Sequence, residues 1–167
     1  YDKIRIMCGI HDGDFAWELQ LGESFVSPEC LLGFSEEGLN GIGHCYHDFL
    51  NGHILPQRFM DVPRPVLINS WESTYFDFDE QKLLSIAKHA KEAGIELFVL
   101  DDGWFGKRND DTCSLGDWSP NLEKLPDGVS GLAKKVNALG MKFGIWVEPE
   151  MISPRSELAE KNPEFAI

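Results

Sequence analysis

The chain has 167 residues, enough for one domain or a little more with a real apolar core, and its acidic side chains outnumber the basic ones for a formal charge of -13. That balance argues against nucleic acid and anionic membrane surfaces, whose binding needs concentrated Lys and Arg, and suits a neutral substrate. No apolar run approaches the roughly 20 residues of a bilayer span, and Asp2, Lys3 and Arg5 interrupt the start where a secretory signal would be apolar, so a cytoplasmic protein without a membrane partner is expected.

In chain order, Tyr1 to Cys8 and Asp14 to Leu21 read as short strands separated by the turn-rich Gly9 to Gly13. Gly22-Glu23-Ser24 makes another turn, and Phe25 to Phe34 reads as a further strand. Ser35-Glu36-Glu37 then opens a predicted helix running through Leu50, with Ser35 as cap and acids in the first turn. From Pro63-Arg64-Pro65 onward the pattern becomes strand, helix, strand, helix, strand, the signature of parallel βαβ units. A domain boundary is therefore expected at about Val62, giving domains 1–62 and 63–167.

In the second domain the apolar run Phe98-Val99-Leu100 ends in Asp101-Asp102-Gly103-Trp104, as a buried parallel strand does when it delivers polar groups to a barrel mouth. Pro65 to Glu72 and Gly144 to Met151 repeat the design. Asp79 to Ala93 carries an apolar stripe at Leu83, Leu84, Ile86, Ala87 and Ala90, ended by Gly94. Ser130 to Leu139 does the same with Leu132, Ala133, Val136 and Leu139, ended by Gly140. Between them, Gly103 to Gly128 exceeds the roughly 12 to 15 residues of an ordinary structureless loop, which marks it as functional. Three strands ending in Trp and acid point to a sugar site.

Other motifs carry less. Cys8, Cys30, Cys45 and Cys113 are widely spaced without a CxxC pair and read as reduced thiols. His44 and His47 lie one helical turn apart but lack further ligands for zinc, and Asn109-Asp110-Asp111 does not match a calcium loop. Gly41-Ile42-Gly43 precedes no phosphate-binding βαβ unit.

The ordered set Leu67-Ile68-Asn69-Ser70-Trp71-Glu72, Leu100-Asp101-Asp102-Gly103-Trp104-Phe105-Gly106, Gly116-Asp117-Trp118 and Met141 to Met151 resembles the bacterial α-galactosidases of glycoside hydrolase family 36. The resemblance implies an α/β chain holding the first three strands of a (β/α)8 TIM barrel, preceded by the end of an N-terminal β-sandwich. It implies a retaining enzyme that removes terminal α-galactose from oligosaccharides such as melibiose and raffinose, needs no cofactor or metal, and forms a homotetramer in some members. Retention requires two carboxyl groups roughly 5 to 5.5 Å apart. In the family these are aspartates on strands four and six, and this sequence stops at Ile167 before either. The expectation is thus an internal fragment, inactive by itself.

For the residues present, the resemblance implies binding: Asp101 and Asp102 accept bonds from the 4- and 6-hydroxyls of galactose, while Trp71 and Trp146 wall the pocket. Trp104, Phe105 and Trp118 either line the outer pocket or pin the long loop, and Glu148 and Glu150 share a side by strand alternation, where they either brace a neighbouring group or contact sugar. Open alternatives are a noncatalytic sugar-binding module, and a parent that acts as an α-N-acetylgalactosaminidase or galactosyl transferase.

Overall fold

The computed structural model describes residues 3–11, 13 and 15–165, and the chain divides into two units, Tyr1–Pro63 and Arg64–Ile167.

In the first unit the described residues form no strand, in contrast to the three expected there; Tyr1, Asp2 and Asp14 lie outside the described residues. A strand is defined by its ladder, and among the described residues no stretch of this unit pairs with another. Ile4, Ile6, Leu21, Val26, Leu32 and Phe34 are accordingly exposed. Local order comes from aromatic contact, with Phe25 5.6 Å from Phe15 and 5.1 Å from Trp17 between ring centres, and from Tyr46 Oη, which donates to the Leu31 carbonyl at 3.0 Å.

Helix α1 spans Gly38–Phe49 and runs on through a π turn, Leu50–Ile54. It begins three residues after the expected cap because Gly38 takes φ +70, a left-handed bend that breaks any helical path from Ser35. Ser35 Oγ instead accepts from the Glu37 N–H at 3.1 Å, a side-chain turn ahead of the helix.

The second unit is built on three parallel strands, β1 (Leu67–Asn69), β2 (Leu97–Leu100) and β3 (Lys142–Ile145), in that order across the sheet. The register aligns Ile68 with Phe98 and Phe98 with Phe143, and Asn69 with Val99 and Val99 with Gly144. A four-residue helix α2 (Trp71–Thr74) follows β1 directly, and the crossovers are α3 (Glu80–Glu92) and α4 (Gly128–Ala138).

Alternation then sorts the side chains. Phe98 and Leu100 on β2 are fully buried with Leu83 and Ala87 of α3 and Leu132 and Val136 of α4, which form one core. The opposite face, carrying Leu67 and Val99, is half-buried or exposed, with Leu67 53% exposed. All-parallel sheets are ordinarily covered on both faces, so this second face is the one available for further packing.

The terminating glycines work as expected, while α4 begins two residues before the expected Ser130. Asp79 caps α3 by accepting the Lys82 N–H at 2.8 Å. Gly94 (φ +87) and Gly140 (φ +74) adopt the left-handed conformation that ends α3 and α4. Asp79→Ala is expected to cost about 0.5–2 kcal/mol. Urea unfolding checks it, and a change below a few tenths would mean that packing, not the cap, fixes the start of α3.

Candidate functional site

The polar groups gather where the three strands end. At the end of β1, Asn69 donates through Nδ2 to Asp101 Oδ2, and its Oδ1 accepts the Trp71 N–H at 2.7 Å. Ser70, almost fully buried, accepts the Asp101 N–H on its hydroxyl at 3.1 Å, and its own N–H continues the ladder to the Val99 carbonyl. The last residue of β1 and the one after it therefore fix both the carboxylate and the backbone of Asp101. Asp101 Oδ1 accepts the Asp102 N–H at 2.8 Å, which leaves this half-buried carboxylate oriented with lone pairs to spare.

Asp102 is buried and paired with Arg108 of the loop after β2. Arg108 Nε meets Oδ1 and Oδ2 at 3.0 and 3.1 Å, Arg108 Nη2 meets Oδ2 at 2.8 Å, and the Gly103 N–H donates to Oδ1 at 2.6 Å. The two side chains are 7% and 8% exposed, so the pair is held away from solvent screening. Burial pulls the Arg108 guanidinium down, but the hydrogen bonds and charge of Asp102 outweigh it, and the net shift is upward from its ordinary value.

The long loop after β2 is tied, not free. Lys124 Nζ donates to the carbonyls of Phe76, Gly103 and Arg108 at 2.9, 3.0 and 3.2 Å and sits 4.6 Å from the centre of the Phe78 ring. Burial lowers its pKa from the ordinary lysine value, against the opposing pull of the Asp102 and Asp77 charges. Trp104 and Phe105 are buried; Trp104 stacks on Trp118 with ring centroids 6.1 Å apart, and Phe105 meets Trp118 at a tilt with centroids 4.6 Å apart. Of the two roles open for these aromatics, pinning the loop describes Trp104 and Phe105. Asp117 joins the loop to the segment after β3 by accepting the N–H groups of Glu157 and Leu158, at 3.1 and 3.0 Å, on the short helix α5 (Glu157–Lys161).

Trp146 lies one residue past β3 rather than within it, although its N–H still donates to the Leu100 carbonyl at 2.8 Å. Its own carbonyl accepts the Trp104 indole N–H at 3.0 Å, and its ring lies parallel to Phe105 at 6.5 Å. Because the strand stops at Ile145, alternation does not extend to Glu148, half-buried, and Glu150, exposed, and gives no reason to place them on one side. Pro149, which has no N–H, cannot extend the ladder.

Trp71 opens α2, half-buried, with edge contacts to Tyr75 and Phe76 at 5.2 and 5.1 Å. Tyr75 ends that turn at φ +46, a strained conformation for a residue with a side chain, and its hydroxyl donates to Glu72 Oε2 at 3.1 Å. The structure thus joins Trp71 to Asp101 through Asn69, joins Asp101 to Asp102 through the backbone, and joins Trp146 to the loop aromatics. Among the described residues no group of three His, Cys, Asp or Glu side chains is placed to hold a metal ion.

Four residues of this arrangement, Asn69, Ser70, Arg108 and Lys124, have no role assigned to them from the sequence. Arg108 and Lys124 carry one available signal: they are cations inside the long loop after β2 of a strongly acidic chain.

Parallel βαβ units thus gather these carboxylates and indoles at the C-terminal ends of the strands, where α/β barrel proteins place their sites. The melibiase profile matches residues 24–167, and the chain belongs to the melibiase family. The α-galactosidase AgaA of Geobacillus stearothermophilus is 55% identical over 167 residues, which is 100% of this chain and 23% of that protein. The crystal structure of the GH36 α-galactosidase AgaB from the same organism superimposes with TM-score 0.80 at 59% identity, over 93% of this chain and 22% of that one. A variant of AgaA in complex with raffinose superimposes with TM-score 0.80 at 56% identity, over 93% of this chain and 22% of that one. This chain therefore spans less than a quarter of the length of these relatives.

Proposed function

We propose that this chain is a segment of a retaining α-galactosidase, contributing the galactose-binding ends of the first three strands of a (β/α)8 barrel while the nucleophile and the acid/base lie in other segments. The observation that carries the reading is the Asp101 carboxylate, fixed by Asn69 and the Asp102 N–H yet still half-exposed at the sheet's C-terminal edge. The half-covered face of the sheet supports the barrel, since Leu67 and Val99 need the remaining strands to enclose them. The first unit is read as the end of a β-sandwich whose strands find their partners in the rest of the protein, with the domain boundary near Val62.

In this reading Asp101 and Asp102 accept bonds from O4 and O6 of galactose. Charge-assisted bonds of this kind select axial O4, because glucose leaves a buried acceptor unmet. Trp71 and Trp146 lay indole faces against the sugar C–H groups and exclude water. The substrates are α-galactosides such as melibiose and raffinose, the protein is cytoplasmic and homotetrameric, and neither nucleic acid nor membrane is a partner. Among the described residues no helix is long and apolar enough to cross a membrane.

The test is the anomer released. Proton NMR of raffinose hydrolysis by the full-length protein is expected to show α-galactose first, with the β-anomer rising only by mutarotation. Initial β-galactose, or no galactose release, would contradict the reading. Trp71→Ala in that protein is expected to raise KM for raffinose more than it lowers kcat, by about tenfold, from the lost apolar contact. Unchanged kinetics would remove Trp71 from the pocket.

A further inference from the structure

Resting on the reading of the strand ends as a galactose subsite, we propose that Arg108 is a positioning residue for that subsite: its guanidinium fork fixes the plane of the Asp102 carboxylate so that one oxygen is presented to a sugar hydroxyl. Asp102 accepts from the Gly103 N–H and Arg108 Nε on Oδ1 and from Arg108 Nε and Nη2 on Oδ2; because the one Nε–H is shared between the two oxygens, three N–H groups meet a carboxylate's roughly four acceptor positions and one position is left. The arginine is itself immobilised. Its Nη1 donates to the Cys113 carbonyl at 3.0 Å, its guanidinium lies 5.5 Å from the centre of the Phe76 ring, and its own carbonyl accepts from Lys124 Nζ at 3.2 Å.

A planar fork sets the orientation of a carboxylate, whereas an ammonium only sets its charge. The ordering cost that a mobile aspartate would incur on binding is thereby met in the folded protein before sugar arrives. Because Arg108 belongs to the loop after β2 and Asp102 to the strand end, the pair also couples loop position to subsite geometry.

The experiment compares Arg108→Lys, Asp102→Asn and the double variant in the full-length enzyme, reading the galactose inhibition constant, KM and kcat separately, and the melting temperature. Arg108→Lys is expected to fold and to weaken galactose inhibition about tenfold, with a matching rise in KM and little change in kcat. The double variant is expected to bind no worse than Asp102→Asn alone, since the arginine acts through that carboxylate. A folded Arg108→Lys with unaltered galactose inhibition, beside a weakened Asp102→Asn, overturns the positioning role and leaves the subsite standing. Additive losses overturn it as well. So does an unfolded Arg108→Lys beside a folded Asp102→Asn, which makes the arginine a loop anchor only. If Asp102→Asn leaves galactose inhibition unchanged, the assignment of Asp102 to the subsite fails and the positioning role fails with it.

Discussion

Asp101→Asn in the full-length protein is expected to weaken galactose binding by about 1.5–3 kcal/mol, a factor of about 10 to 150, as measured by competitive inhibition. The size follows from losing charge-assisted acceptance of a sugar hydroxyl, and the geometry adds a second loss. Asp101 Oδ1 is committed to the Asp102 N–H and Oδ2 to Asn69 Nδ2. An asparagine that keeps the first contact turns an NH2 toward the Asn69 NH2, and two donors then face each other. Asn69 can relieve this only by turning over, which takes its oxygen away from the Trp71 N–H. The substitution therefore disturbs Asp101 and Trp71 together. Galactose inhibition equal to that of the unsubstituted protein would show that Asp101 holds the strand ends together and touches no sugar.

Phe98→Ala is expected to destabilise by about 3–5 kcal/mol, the range for removing a fully buried aromatic ring. Phe98 sits in the central strand with no exposed surface, aligned with Ile68 on one side and Phe143 on the other, and it belongs to the core that joins α3 and α4 to the sheet. Neighbours fixed by two parallel ladders cannot collapse into the space, so the cavity persists. Denaturant unfolding of the full-length protein reads the change. A loss under about 1.5 kcal/mol would mean that the helices are not seated on this face of β2 as described.

How far the sequence reveals these features depends on how local their causes are. The α3 and α4 stripes and the glycines ending both helices depend on neighbours within a turn or two, and they are readable from spacing. The βαβ order is readable because its periodicity switches repeatedly along the chain. The start of α1 was misplaced because the acids after Ser35 suggested a first turn, while the left-handed Gly38 decides where the helix begins. The strands expected before Phe34 illustrate a different limit: a strand exists only with a partner, and none of the described residues supplies one.

Within the site, Asp101, Asp102 and Trp71 stood out as strand-end residues. The Arg108 to Asp102 ion pair did not, because nothing in a loop's sequence says which way it folds back. Trp146 reads as a tryptophan within the third strand, whereas the structure ends that strand one residue earlier, at Ile145. Its fixation depends on Trp104 and Phe105, some 40 residues earlier, whose inward direction only packing reveals.

The most direct measurement is a crystal structure of the full-length protein with galactose bound. The account predicts the sugar at the C-terminal edge of the sheet, with its 4- or 6-hydroxyl about 2.5–3 Å from an Asp101 carboxylate oxygen and an indole of Trp71 or Trp146 against its C–H face. Galactose bound elsewhere, with Asp101 still satisfied only by Asn69 and the Asp102 N–H, would contradict it.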